Sequence, residues 1–135
     1  MSTLRISNII SAIQKQIPSI WSAYVYGSQV SNEALPESDL DVAVLGPDKI
    51  PCMELLELAQ LVACSSDFEV DLVDLRSVPT DLQAQIVSKG ERSVFTNFQL
   101  VESFENFVFS SYARLNEERQ FILKDIQQRG SIYGR

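Results

Sequence analysis

Hydrophobic residues recur along this chain with two alternating periods, one typical of helices and one typical of strands. The helical period covers about 3–16, 53–62, 80–88 and 98–129, and strand-like runs cover about 20–26, 39–45 and 68–73, with a short edge strand at 92–95. This alternation predicts an α/β fold in which a small mixed β-sheet is flanked by helices and followed by a long C-terminal helix. We expect a single domain over 1–135, with its core at about 20–95 and the C-terminal helical segment at about 98–129.

Two of these helices carry more apolar residues than one narrow stripe needs. The segment at 53–62 is apolar at seven of its positions, which predicts burial over a wide face. The aromatic residues of the C-terminal helix are expected to be core, with part of the stripe left for a partner. Cys52 and Cys64 are expected to be small core residues with free thiols.

Composition excludes several classes of protein. The 135 residues are 45% hydrophobic and 21% charged, as in ordinary globular proteins, and no apolar run reaches the roughly 20 residues of a membrane span. Histidine is absent and the two cysteines form no Cys-x-x-Cys, which excludes zinc fingers and Ser-His-Asp triads. The net charge of −7 argues against direct nucleic-acid binding. The N-terminus has no signal-peptide pattern, so we expect a cytoplasmic protein.

The candidate chemistry lies between the first two predicted strands. Gly27 and Ser28 end the first strand, ten residues follow, and Asp39 and Asp41 open the second. Alternating residues of a strand share a face, so the two carboxylates lie about 7 Å apart on one side. Carboxylates in this arrangement can hold Mg²⁺ against a nucleoside triphosphate, with two ions about 4 Å apart. Backbone N–H groups at a Gly-Ser turn suit the phosphates.

Gly-Ser, ten residues and Asp-x-Asp together resemble the signature of the minimal nucleotidyltransferases, a branch of the DNA polymerase beta-like superfamily. The resemblance implies the same α/β fold, ATP as substrate and Mg²⁺ as cofactor, with Gly27 and Ser28 binding the nucleotide and Asp39 and Asp41 binding metal. A third carboxylate on a neighbouring strand would complete the metal site and take the hydroxyl proton. Asp71 is the candidate and Glu69 its alternative.

Among family members, the chain is most similar to the short antitoxins encoded with HEPN-domain RNase toxins in type VII-like toxin–antitoxin systems. This implies a protein adenylyltransferase that moves AMP from ATP to a tyrosine of the toxin and forms a complex with it. Two alternatives stay open, namely an aminoglycoside-type nucleotidyltransferase and an antitoxin that acts by binding alone, with a vestigial site. The chain departs from many relatives at 29–32, where it has no arginine. Lys89 is our candidate for the missing phosphate contact.

Overall fold

Eight elements make up the computed structural model of the chain, which describes residues 3–27, 40–64 and 70–129. Helices and strands alternate as the hydrophobic pattern predicts, except that the first strand is followed by the second. Residues 28–39 between these two strands lie outside the described ranges. The elements are α1 (Thr3–Gln16), β1 (Ser22–Tyr26), β2 (Leu40–Leu45), α2 (Cys52–Cys64), β3 (Val70–Asp74), α3 (Thr80–Lys89), β4 (Glu91–Val94) and α4 (Phe98–Gln128).

The four strands form one mixed sheet in the order β3-β2-β1-β4. β1 pairs antiparallel with both β2 and β4, whereas β2 and β3 run parallel. β2 is a nearly continuous apolar run because both of its faces are covered, as is usual for strands inside a sheet between helices. The short strand β4 lies at an edge of the sheet, as its sequence predicts.

Helices cover both faces of the sheet. On one face, Ile13 of α1 and Leu58 of α2 pack with Val42 and Val44. On the other face, Ile86 of α3 and Val101 of α4 share a second core with residues such as Tyr24 and Ala43 of the sheet. The alternation of β2 therefore sends Val42 and Val44 to one core and Ala43 to the other. The α/β sandwich with a small mixed sheet and a long C-terminal helix is confirmed.

The two apolar helices are less buried than the sequence suggests. In α2 only Leu55, Leu58 and Val62 are buried, so the expected wide buried face is wrong, and both cysteines are exposed rather than core. α4 buries Val101 and Val108 but leaves several large apolar side chains exposed. The most exposed of these are Phe107, Phe121, Ile122 and Leu123. The expectation that this aromatic stripe is core is wrong for most of its residues, because α4 is longer than the sheet it covers.

None of the helices in the described ranges has an apolar stretch long enough to cross a membrane.

Candidate active site

Two carboxylates meet at one end of the sheet. In the register of the parallel pair, Asp41 of β2 lies directly opposite Asp71 of β3. Adjacent strands are about 4.8 Å apart and directly paired residues share a face, so both side chains lie on the α3/α4 side. Asp41 is half-buried and Asp71 is exposed to solvent. A substrate can therefore approach this pair of carboxylates from the solvent on the side of Asp71.

Gly27 brings the end of β1 against the same site. Its φ of 85° is in the left-handed region, which glycine adopts without steric cost. A Cβ built on Gly27 would lie 2.5 Å from Oδ2 of Asp41, so this carboxylate oxygen occupies the space that any side chain would need. Glycine at position 27 therefore allows the backbone turn and leaves the space in which the Asp41 carboxylate lies.

Tyr26 is a site residue that the sequence pattern does not identify. It pairs with Asp41 across the antiparallel β1–β2 ladder, next to the Asp41–Asp71 pair. Partial burial, followed by the negative charges of Asp41 and then Asp71, raises the pKa of the Tyr26 phenol to about 12. The phenol stays protonated at neutral pH, and it lies close enough to Asp41 and Asp71 for their negative charges to raise its pKa. Its position directly before Gly27 is the only sequence signal for this role.

Three of the predicted site residues are in the described part of the chain, and the structure brings them to one place. These are Gly27, Asp41 and Asp71. Ser28, Asp39 and the alternative acid Glu69 lie outside the described residues. Within residues 3–27, 40–64 and 70–129 there is no cluster of three or more acidic, cysteine or histidine ligands. The predicted three-carboxylate set includes Asp39 and stays a prediction.

The donor chemistry of Asp41 and Asp71 fits a magnesium ion. Both offer hard carboxylate oxygens on adjacent strands, and Mg²⁺ takes one or two such ligands together with waters and phosphate oxygens. Two neighbouring carboxylates also repel each other unless a cation is bound between them. Oδ2 of Asp41 lies where a side chain at position 27 would be, so the glycine leaves room for this carboxylate.

Asp74, three residues after Asp71, has a different task. It is only 3% exposed, and it accepts hydrogen bonds from the backbone N–H groups of Ile50 and Arg76 and from Oγ of Ser77, at 3.0, 3.2 and 2.8 Å. These bonds tie the end of β3 to the loop before α2. Asp74 therefore supports the fold, and it faces away from Asp71 as the strand alternation predicts.

Lys89 lies at the same end of the sheet as the carboxylates. β4 pairs with β1 so that Glu91 is opposite Val25, and Lys89 and Gly90 precede Glu91 at the end of β1 where Gly27 lies. A Cβ on Gly90 would be 3.2 Å from the carbonyl oxygen of Val25, which shows how closely this turn approaches β1. The Lys89 side chain is exposed, so it is free to reach toward a ligand there.

Comparison with known proteins places this site in a family. Residues 7–97 match the family model described as polymerase beta, nucleotidyltransferase. The chain is 37% identical, over 93% of its length and 90% of the relative's, to the protein adenylyltransferase MntA of Shewanella oneidensis. A crystal structure of a toxin–antitoxin with AMP-PNP matches with a TM-score of 0.76 at 36% identity, covering 90% of this chain and 97% of that chain.

A second solved structure contains a tri-AMPylated HEPN toxin of Shewanella oneidensis in complex with its MNT antitoxin. It matches with a TM-score of 0.74 at 35% identity, covering 94% of this chain and 99% of that chain. The family match spans the strands that carry Gly27, Asp41 and Asp71. This chain therefore belongs to the polymerase beta nucleotidyltransferase family.

Proposed function

We propose that this protein is the antitoxin of a HEPN/MNT toxin–antitoxin pair and transfers AMP from ATP to a tyrosine of its HEPN RNase toxin. The observation that carries the proposal is the pairing of Asp41 with Asp71 on one sheet face beside the Gly27 turn. The adenylyltransferase identity of the Shewanella relative, at 37% over nearly the whole chain, supports protein as the acceptor class. The AMP-PNP complex of a similar protein supports ATP as the donor.

The reaction joins the acceptor oxygen to the α-phosphorus of ATP and breaks the bond between that phosphorus and the oxygen that leads to pyrophosphate. The attacking and leaving oxygens lie roughly in line. Asp71 is exposed on the edge strand β3, where a tyrosine of another protein can approach it, and its carboxylate accepts the hydroxyl proton. Gly27 and Ser28 bind the leaving phosphates, on the side of the α-phosphorus opposite to the attacking hydroxyl. Asp39, Asp41 and Asp71 would hold Mg²⁺, which supplies charge neutralisation at the attacking and leaving oxygens.

Exposed apolar side chains on α4 support the proposal that this protein binds a macromolecular partner. Phe107, Phe121 and Ile122 of α4 are 66%, 75% and 57% exposed. Contiguous apolar patches on a protein surface mark interaction sites, and Phe121 and Ile122 are adjacent in the helix. Burial of such residues is the main favourable contribution in most protein–protein interfaces. We propose that the HEPN toxin covers part of this surface in a heteromeric complex.

The free and exposed thiols of Cys52 and Cys64 support a cytoplasmic location, where thiols stay reduced. That the chain forms one domain over 1–135 stays a prediction.

The test is the intact mass of the cognate toxin after incubation with this protein, ATP and Mg²⁺. We expect a gain in whole AMP units with the wild type and no gain with Asp41→Asn. Asp48→Asn, which changes an exposed aspartate in the loop after β2, is the matched control and should transfer AMP at the wild-type rate. Both variants remove one carboxylate, so a difference between them reports the position rather than the charge.

Unchanged toxin mass together with a stable, RNase-inactive complex would contradict AMP transfer and support an antitoxin that acts by binding. AMP transfer by Asp41→Asn at the wild-type rate would contradict the metal site. If an aminoglycoside gains AMP and the toxin does not, the acceptor class is wrong.

A further inference from the structure

The side of α2 that faces away from the sheet is apolar and stays exposed to solvent in the part of the chain that the structure describes. The inner side carries Leu55, Leu58 and Val62, which pack in the core with Val70 and Leu72 of β3. Four apolar residues on the outer side face solvent instead, and we name them the outer face of α2. They are Met53 at 66%, Leu56 at 53% and Leu61 at 54% exposed, together with the exposed Cys64.

The outer face of α2 keeps its pattern when the helix is read backwards. Reversal about the point between Leu58 and Ala59, near the middle of α2, exchanges residues of similar chemistry and similar exposure. The buried residues Leu55 and Val62 change places. The exchanged pairs of exposed residues are Met53 with Cys64, Leu56 with Leu61, and Glu57 with Gln60. The helix therefore presents the same surface to a neighbour that runs in the opposite direction.

A two-fold axis beside the middle of α2 makes use of this reversal. In a two-fold dimer, each contact between residue i of one copy and residue j of the other occurs twice. Two antiparallel α2 helices then bring Met53 level with Cys64 of the second copy, and Leu56 level with Leu61 of the second copy. Every apolar residue of the outer face of α2 is thus at the level of another apolar residue.

The polar residues of α2 also fit an antiparallel pair. Glu57 is level with Gln60 of the second copy, whose side-chain N–H can donate to the Glu57 carboxylate. Glu54 is level with Ala63 of the second copy, so carboxylates do not face each other across the contact. In a parallel pair, by contrast, each glutamate would be level with its own copy and would repel it. The antiparallel direction also places the positive N-terminal end of each helix beside the negative C-terminal end of the other.

The size of this surface predicts a weak contact. A helix of 13 residues is about 20 Å long and about 10 Å wide. One face of it offers less than the roughly 800 Å² that each partner of a stable interface buries, so α2 belongs with the small interfaces of transient complexes. We therefore expect the monomer at low concentration and the dimer as the concentration rises.

We propose that α2 is a self-association helix, through which two copies of this protein form a weak, antiparallel, two-fold dimer. α2 packs on the sheet face that carries Val70 and Leu72, whereas Asp71 points to the opposite face together with Asp41. Both candidate active sites of the dimer therefore stay open to ATP and to a toxin. The proposal goes beyond the proposed function and does not depend on it.

The test is disulfide trapping of the full-length protein, with Cys52→Ser as the background that leaves Cys64 as the native thiol. With Met53→Cys added, mild oxidation should give a covalent dimer whose peptide map joins positions 53 and 64. These positions are about 16 Å apart within one helix, whereas the Cα atoms of a disulfide lie within about 7 Å, so the bond must join two copies. Glu54→Cys is the matched control, because Glu54 is also exposed but points to the side of the contact, and it should form little dimer.

A second measurement is sedimentation equilibrium of the reduced protein over a range of concentrations. We expect Leu56→Glu to weaken self-association about tenfold or more, because it places a carboxylate against apolar side chains of the second copy. Phe107→Glu, which changes an exposed phenylalanine of α4, is the matched control and should associate like the wild type. Leu56→Glu should still transfer AMP at the wild-type rate, because α2 lies on the sheet face opposite to the carboxylates.

Equal trapping of Met53→Cys and Glu54→Cys would overturn the proposal, as would a wild-type protein that stays monomeric at every concentration. Disulfides that join only Cys64 to Cys64 would contradict the antiparallel arrangement. A monomeric wild type whose Leu56→Glu variant loses toxin binding would assign the outer face of α2 to the toxin instead. A failure of AMP transfer leaves the trapped dimer unaffected, and a failure of trapping leaves AMP transfer unaffected, so the two proposals fail separately.

Discussion

Gly27→Ala should separate catalysis from stability in this protein. An alanine Cβ would lie 2.5 Å from Oδ2 of Asp41, and ordinary contact begins at 3.4 Å, so the carboxylate has to move by about 0.9 Å. A misplacement of about 1 Å in an active site can cost roughly 100-fold in rate. We therefore expect AMP transfer to the toxin to fall about 100-fold.

The same substitution should cost little stability. A residue other than glycine at a φ of 85° pays about 1 to 2 kcal/mol for its left-handed backbone. The clash itself is relieved by rotation of the Asp41 side chain, because the nearest atoms all belong to that side chain rather than to backbone. This loss is small against the roughly 5 to 15 kcal/mol of a typical domain, so the variant should stay folded at 25 °C.

Gly46→Ala and Gly90→Ala are controls for this experiment. At Gly46 the nearest atoms to an added Cβ are 3.8 and 3.9 Å away, so neither rate nor stability should change. At Gly90 the added Cβ would be 2.6 Å from the carbonyl oxygen of Ile86, and backbone cannot rotate away, so stability should fall further than in Gly27→Ala. The measurements are initial rates of AMP transfer and urea unfolding. Full activity in a folded Gly27→Ala variant would refute the reasoning, because it would show that the position of the Asp41 carboxylate does not matter.

Two further predictions concern side chains near the site. Asp71→Asn should abolish AMP transfer and change the free energy of unfolding by no more than about 0.5 kcal/mol, because Asp71 is exposed. Asp74→Ala should lower the free energy of unfolding by about 3 kcal/mol or more, because it leaves buried hydrogen-bond donors unpaired. Urea unfolding measures both changes, and equal losses of stability would contradict the different roles assigned to Asp71 and Asp74. Tyr24 is buried and its hydroxyl donates to Oε2 of Glu105 at 2.7 Å, so burial first and then Glu105 raise its pKa above the ordinary value near 10. The native state then holds this proton more tightly than the unfolded chain, so its contribution to stability is complete below pH 10 and declines as the pH rises further. Tyr24→Phe should lower the free energy of unfolding by about 1.5 to 3 kcal/mol at pH 7 and make its decline above pH 10 shallower; an unchanged alkaline slope would contradict this.

The sequence predicts most of the fold because each element carries its own period. The strand alternation of 39–45 and 68–73 also placed Asp41 and Asp71 correctly on their strands' faces. It could not supply the register, since a shift of two residues keeps every face and moves Asp71 about 7 Å from Asp41. The role of Tyr26 could not be predicted for the same reason. Its partner Asp41 is fifteen positions away, and the register of the β1–β2 pairing brings the two together.

The exposed helix faces were not predictable from periodicity. A run of apolar residues in α2 or α4 indicates that something covers that face, and it does not indicate whether the cover is this chain or another one. Leu55 and Leu61 of α2 illustrate this, because they are 8% and 54% exposed although both are leucines in the same apolar helix. The two leucines lie about 120° apart around the helix axis, and only the side with Leu55, Leu58 and Val62 is covered within the chain.

The strand order also gives the candidate site its asymmetry. Asp71 is on the outer strand β3, Asp41 is next to it on β2, and Gly27 follows β1, with Lys89 just before β4 on the far side. A protein acceptor can reach the edge strand β3 without displacing any element of the described part of the chain. The exposed edge at Asp71 therefore suits the larger substrate, the acceptor protein. On this reasoning, changes at Asp71 should lower kcat for AMP transfer, and changes around Lys89 should raise the KM for ATP.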